Sequence, residues 1–278
     1  MNNDKNLSMA DIQKVSLEIL KTISNICEKN NFKYFLAYGT LIGAIRHKGY
    51  IPWDDDVDIM MPRPDYERLL HYLEKHSRDL GHLKLFTPQL NPNYPYMLAR
   101  ISDDRYWIDV KNEKRHGMGI FIDIYPLDGL GNTHEEALTL LKKTTKLCSM
   151  IFISTRESFH IDLTKGFFRK FIKYPAYIYA KAFGKNYFVR KLQNELNKCS
   201  YENSNIVGAA AWCTRPLKNI YMKEWCVDLM LSDFEDTQFY IPVHYDNMLK
   251  VTYGNYMQLP PQKDRIYHHL YKAYKKES

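Results

Sequence analysis

An α+β fold is what the sequence predicts, and three patterns predict it. Residues 8–29 place Ile12, Val15, Ile19, Ile23 and Ile26 at spacings of three and four, the signature of an amphipathic helix. Short apolar runs, Val57–Met61 and Gly119–Tyr125 above all, read as strands. From Thr133 to about Ser200 the spacing turns helical without strand-like runs. Strands and helices are therefore unevenly distributed, which favours a mixed sheet core carrying a helical insertion. The division expected is a core over 1–132, a helical layer over 133–205 and a returning C-terminal segment over 206–278.

The elements follow in order. Ser8, with Asp11 three residues on, is a plausible capped start for the first helix. Phe32–Ala37 reads as a short buried strand, Thr40–Arg46 as a short helix and Gly49–Asp55 as a loop. Pro62 and Pro64 close the 57–61 strand, and Asp65–Leu80 reads as a helix with Tyr66, Leu69, Leu70 and Leu73 on one side and Gly81 as its stop. Leu83–Phe86 and Tyr96–Ser102 read as strands, and Ile206–Ala211 as a further one. Asp128, before Gly129, reads as a turn residue. Pro175 is expected to kink or split its helical stretch. His244–Tyr253 reads as a helix.

Residues 54–58 hold four aspartates, Asp54, Asp55, Asp56 and Asp58. Side chains alternate along a strand, so Asp56 and Asp58 are expected on one face. Two such carboxylates repel unless a cation lies between them or one takes a proton. Oxygen donors of this kind suit Mg2+ or Mn2+. The alternative is a solvated acidic loop. Upstream, Gly39 and Thr40 offer backbone N–H groups and a hydroxyl to phosphate oxygens at a helix start. Metal beside a phosphate cradle is the logic of phosphoryl or nucleotidyl transfer. Asp123 lies inside an apolar strand, where a lone carboxylate costs several kcal/mol. It is therefore expected to face the same cation as Asp56 and Asp58. Asp54 is an auxiliary ligand, and Asp55 is left out. Arg100, inside its strand, is expected to clamp donor phosphate, in preference to Arg105 beyond it. Arg46, His47 and Lys48 could neutralise charge on the leaving side.

Composition bounds the partners. Hydrophobic content of 45% with 26% charge is that of a globular protein able to bury a core. The net charge of +7 favours anionic partners. Five cysteines without a CxxC pair, and an opening Met-Asn-Asn-Asp-Lys-Asn that does not read as a signal peptide, point to a reduced cytosol. No run of eighteen apolar residues is present, so no membrane span is expected. Between Phe159 and Lys191, eight Lys and Arg stand against the single acid Asp162, interleaved with Phe and Tyr. Such a segment suits a membrane surface, or packs its rings inward with its lysines solvated. No helix-turn-helix, zinc-ligand or RNP pattern presents this charge, so nucleic acid is not an expected partner.

The contiguous stretch Tyr-Gly-Thr-Leu-Ile-Gly-Ala-Ile-Arg-His-Lys-Gly-Tyr-Ile-Pro-Trp-Asp-Asp-Asp-Val-Asp-Ile (38–59) resembles the signature of the LicD family, itself similar to DNA-polymerase-β-like nucleotidyltransferases and inclusive of fukutin-related transferases. Phe-Ile-Asp-Ile-Tyr-Pro-Leu-Asp-Gly (121–129) resembles the block carrying that family's third catalytic carboxylate, here Asp123. Tyr253–Pro261 and the nearby His268 resemble the family's usual ending, so the likeness covers about 30–130 and 239–269. It implies a nucleotidyltransferase-type core and a strand–turn–helix–strand entry. It also implies transfer of phosphocholine, or another alcohol phosphate, from CDP-choline or a related CDP-alcohol to a surface glycan or its lipid-linked precursor, releasing CMP. Asp56, Asp58 and Asp123 would be catalytic, with Asp123 receiving the acceptor's proton. Attack on the inner face of the cell membrane by a cytoplasmic, peripheral enzyme would fit. The rivals are a nucleotidyltransferase releasing pyrophosphate and a non-catalytic peripheral membrane protein. Trp53, Trp107, Trp212 and Trp225 are candidates for an aromatic cage around a quaternary ammonium.

Overall fold

In the computed structural model, which describes residues 6–114, 116–159, 167–213, 215–265 and 271–276, the chain opens on helix α1 (Met9–Lys29). Ser8 caps it as its sequence suggests: the hydroxyl accepts from the Asp11 N–H at 3.2 Å and the Asp11 carboxylate accepts from the Ser8 N–H at 3.0 Å. Strand β1 (Phe35–Leu36) leads into helix α2 (Tyr38–Ile42), which continues as a π-helical turn, Gly43–His47. Then come β2 (Asp58–Pro62), α3 (Arg63–Lys75), β3 (Leu83–Phe86), β4 (Ala99–Asp103), β5 (Tyr106–Val110) and the long β6 (Ile120–Gly131). Helices α4 (His134–Thr155) and α5 (Phe167–Leu196) form the helical layer. The chain returns through β7 (Ile206–Gly208), β8 (Tyr221–Met222), the β9 (Leu229–Phe234)–β10 (Thr237–Pro242) hairpin, α6 (Tyr245–Tyr253) and β11 (Tyr271–Lys275).

The main sheet runs β1-β2-β6-β4-β3. β2 and β6 are parallel and the other neighbours antiparallel, so the sheet is mixed and the architecture α+β. β6 is the axis: its first half pairs with β2 and β4, and its second half with β7. One face carries Ile59, Met61, Ala99, Ile101, Ile122 and Ile124, which pack with Leu20 and Ile23 of α1 and Leu69 and Leu73 of α3. Period-2 alternation then turns Asp58, Arg100 and Asp123 to the opposite face. That opposite face is covered by the returning segment, where Met60 and Leu127 meet Val207, Tyr221 and Met248.

Several local readings shift. Pro62 is the N-cap of α3, and the helix ends at Lys75, five residues before Leu80; Gly81, at φ +60°, closes a later turn. Asp56 lies in the loop before β2 rather than in the strand. Asp128 is not a turn residue: it sits within β6, where Arg63 Nε donates to its Oδ1 at 2.7 Å and the Ala211 N–H to its Oδ2 at 3.0 Å. The break in α5 falls at Gly184 (φ 72°, ψ 167°), not at Pro175. Proline's φ is compatible with a helix, whereas the Gly184 dihedrals are not. Two of the lysines in α5 face inward ties rather than solvent. Lys181 donates to the carbonyls of Ser154 and Arg156, and Lys185 to those of Pro88, Asn91 and Pro92, with its amine pushed down to about 8 by burial.

Candidate active site

Parallel pairing sets Asp58 of β2 directly beside Asp123 of β6, and the Asp123 N–H donates to the Val57 carbonyl at 2.8 Å. Antiparallel pairing sets Arg100 of β4 on the other side of Asp123. The three form one row across three strands and are each more than nine-tenths buried. Arg100 Nε donates to Asp123 Oδ1 at 2.5 Å, and its guanidinium lies 3.9 Å from the ring centres of both Tyr96 and Phe121. Burial works against that charge and Asp123 more than offsets it, so the Arg100 pKa stands well above the usual range. The buried carboxylate at 123 thus has an arginine partner, and Arg100 is engaged with Asp123 and two rings.

The loop before β2 brings the remaining acids close. Burial first, then the charges of Asp58, Asp123 and Asp56, pushes the Tyr125 phenol well up, so all three carboxylates act on one side chain. Asp54 packs against Gly39: a Cβ there would stand 2.6 Å from Asp54 Oδ2, so glycine is what lets this carboxylate approach the start of α2. Tyr38, just before it, takes the left-handed φ of 46°. The Thr40 hydroxyl is buried and accepts from the Asp58 N–H at 2.8 Å, so it holds the start of β2 in place. Asp55 accepts from the Tyr271 hydroxyl at 2.8 Å. Among the described residues, no group of three or more His, Cys, Asp or Glu is gathered tightly enough to hold a metal ion. The donor set around Asp58 and Asp123 is nonetheless all-oxygen, which is the chemistry that magnesium or manganese takes.

The basic trio follows α2, with Arg46 and His47 in the π-helical turn and Lys48 as its C-cap. Arg46 donates to the His47 ring at 2.9 Å and to the Tyr256 carbonyl at 2.6 Å, pinning the C-terminal segment. Burial and the Arg46 charge hold the His47 imidazole below its usual pKa. Lys48 is exposed in a left-handed turn. Arg105 closes a turn with Asp103. His268 falls outside the described residues.

Two cavities flank the row. The smaller, about 290 Å3, is lined by Asp58, by the rings of Tyr38, Tyr125, Trp212 and Tyr253, and by Arg215 and Lys218. The Tyr38 hydroxyl donates to Asn219 at 2.6 Å, fixing one wall. The larger, about 710 Å3, opens beside Arg100, Tyr96 and Phe121 and extends to α4 and α5. Arg46, His47 and Lys48 line neither. Of the four tryptophans only Trp212 borders a cavity of this pair; Trp53 packs on His47, Trp107 stacks on Tyr274 and Trp225 joins the core near Tyr221. Sequence reasoning passed over Tyr38, Tyr125, Tyr253, Arg215 and Lys218. Tyr125 was findable, since it stands two residues after Asp123 on the same strand face. Arg215 and Lys218 sit in an irregular segment whose pattern carries no such signal.

The profile described as "LicD/FKTN/FKRP, nucleotidyltransferase domain" matches residues 31–159. The lipopolysaccharide cholinephosphotransferase LicD of Haemophilus influenzae is 31% identical over 278 aligned residues, 97% of this chain and 99% of the relative. That alignment takes in the middle segment, which the motif resemblance left uncovered. Two uncharacterised proteins match short stretches: one of Rickettsia typhi, 35% identical over 72 residues (25% of this chain, 23% of that protein), and one of Rickettsia prowazekii, 46% identical over 48 (17% and 18%).

Proposed function

From the premise that this chain belongs to the LicD/FKTN/FKRP family and is a phosphotransferase, we propose that it moves phosphocholine from CDP-choline to a hydroxyl of lipopolysaccharide or of its precursor, releasing CMP. The observation that carries this reading is the Asp58–Asp123 pair, side by side between two cavities. A nucleotidyltransferase-type core is part of the same proposal, as is the division into core, helical layer and returning segment.

In this mechanism the donor lies in the smaller cavity. Arg215 and Lys218 meet its phosphates, and the rings of Tyr38, Tyr125, Trp212 and Tyr253 enclose its flat or cationic parts. Asp58 and Asp123, with Asp56 and Asp54 as auxiliaries, would hold a divalent cation, Mg2+ or Mn2+. When bound, such an ion neutralises charge developing on the phosphoryl oxygens. Arg100 fixes the direction of the Asp123 carboxylate. The acceptor oxygen attacks the phosphorus next to choline, the bond to the CMP oxygen breaks, and the hydroxyl proton passes to Asp123. Thr40 and Gly39 serve by holding the backbone at Asp58 and admitting Asp54. Donor labelled on choline should leave its label on the acceptor with stoichiometric CMP; cytidine label on the acceptor, with pyrophosphate released, would replace this reading with nucleotidyl transfer.

A cytoplasmic enzyme working at the inner face of the membrane belongs to the same proposal. Among the described residues no helix is long and apolar enough to cross a membrane. α5, however, exposes Tyr174, Ile178, Tyr179 and Phe183 next to exposed Lys173, which suits an anionic lipid surface. The chain should sediment with phosphatidylglycerol vesicles, and Tyr179→Ser with Phe183→Ser should weaken this more than about tenfold. Equal partitioning of the double variant would remove α5 as the contact.

A further inference from the structure

The larger cavity holds a feature that the transfer chemistry does not use. Glu113 lines it with a side chain only 5% exposed. Its Oε1 accepts from the Tyr96 hydroxyl at 2.7 Å and lies 3.1 Å from Arg156 Nη1. Its Oε2 is buried and has no hydrogen-bond donor among the described residues. A buried carboxylate oxygen left without a donor is costly, and a ligand that supplies one recovers that cost.

The surroundings narrow the ligand. Arg156 already balances the Glu113 charge and Asp123 balances Arg100, so the cavity does not call for a further cation. What Oε2 accepts is then a neutral donor such as a hydroxyl. Phe159 and Tyr177 offer apolar ring surface on the helical side, and Phe152 and Tyr271 continue it. Ring surface beside a hydroxyl acceptor is the pairing that takes a sugar, with its C–H face on the rings and a hydroxyl on the acid. About 710 Å3 lies within the usual range for ligand pockets, roughly 300–1,000 Å3. Exposed Lys111 and Lys173 on the lining add positive charge, which favours a phosphorylated or otherwise anionic saccharide.

We propose that this cavity is the acceptor-saccharide subsite and that Glu113 Oε2 accepts a hydrogen bond from a sugar hydroxyl. The Tyr96–Arg100–Phe121 stack then borders the saccharide on the side of the catalytic row, because Arg100 both lines the cavity and bonds Asp123. Glu113 is a binding residue here and takes no part in the bond-breaking step. The assignment rests on the reading that the acceptor is a glycan hydroxyl.

Saturation-transfer NMR with the full chain and a panel of methyl hexosides (gluco, galacto and N-acetylglucosamino, each with its 6-phosphate) tests it. At least one should bind the wild-type chain. Glu113→Gln and Tyr177→Ala should each weaken that binding by about tenfold or more, while Lys250→Ala on α6 should not. Far-UV circular dichroism and melting confirm that each variant folds; Tyr177→Ala spares the Glu113–Arg156 pair if Glu113→Gln does not. Binding by no hexoside, or wild-type binding by either folded variant, overturns the subsite. Calorimetry of the wild-type chain with CDP-choline is the separate measure of the donor reading: saccharide binding without CDP-choline binding removes that donor and leaves the subsite standing.

Discussion

Asp58→Asn should lower phosphocholine transfer by a factor of about 10² to 10³ or more, the usual cost of removing charge aimed at a developing transition state, and Asp123→Asn should do the same. The two variants differ in their second effect. Asp123 is the partner of a buried arginine, so Asp123→Asn leaves Arg100 without its counter-charge between two rings. Breaking a buried pair from one side costs about 3–5 kcal/mol. Asp123→Asn should therefore lose stability together with activity, read by melting and by turnover with CDP-choline and magnesium. Near-normal turnover by a folded Asp58→Asn chain would end the catalytic account.

The second large effect is structural. Arg63→Met should destabilise the chain at pH 7 by about 3–5 kcal/mol, a drop in melting temperature of roughly 6–20 °C at ~2–4 °C per kcal/mol. Asp128 is 4% exposed within β6, and Arg63 reaches it from the start of α3. Burial pushes the Asp128 carboxyl up and Arg63 pulls it back. Without Arg63 the upward push of burial, the largest cause, is opposed only by the backbone N–H groups of Ala211 and Ala210, so the folded variant binds a proton more readily than its unfolded chain does. Its stability should then rise as pH falls from 7 towards the ordinary carboxylate range, where the deficit against wild type narrows. A deficit that stays constant from pH 7 to 4.5 would show that the buried charge is not its cause.

Much of the site could be read before any coordinates. Strand alternation singled out Asp56 and Asp58, and the cost of an acid in an apolar strand Asp123; Asp56 lies in the loop ahead of β2, and the register sets Asp58 and Asp123 side by side. Arg100 was preferred over Arg105 because it lay inside a strand, and it bonds Asp123. What the pattern did not show is its carboxylate partner, since which residue faces Arg100 depends on antiparallel pairing between chain segments some twenty residues apart. Arg46, His47 and Lys48 follow the Gly39 turn closely in sequence, and what the fold adds is the contact of Arg46 with the Tyr256 carbonyl of the C-terminal segment.

What the sequence determined alone is local: the capped first helix, the alternating strands that turn their acids to one face, and the contiguous motif that marks the family. These depend on periodicity and on neighbours within a few residues. Only the tertiary structure decided the partners: Asp128 with Arg63, Glu113 with Tyr96 and Arg156, the tyrosines around Asp58, and β11 laid along β5. Each of these joins residues at least 17 positions apart, with other elements between them. Pairing across such distances is settled by burial and charge compensation over the whole fold, which no single stretch of chain encodes.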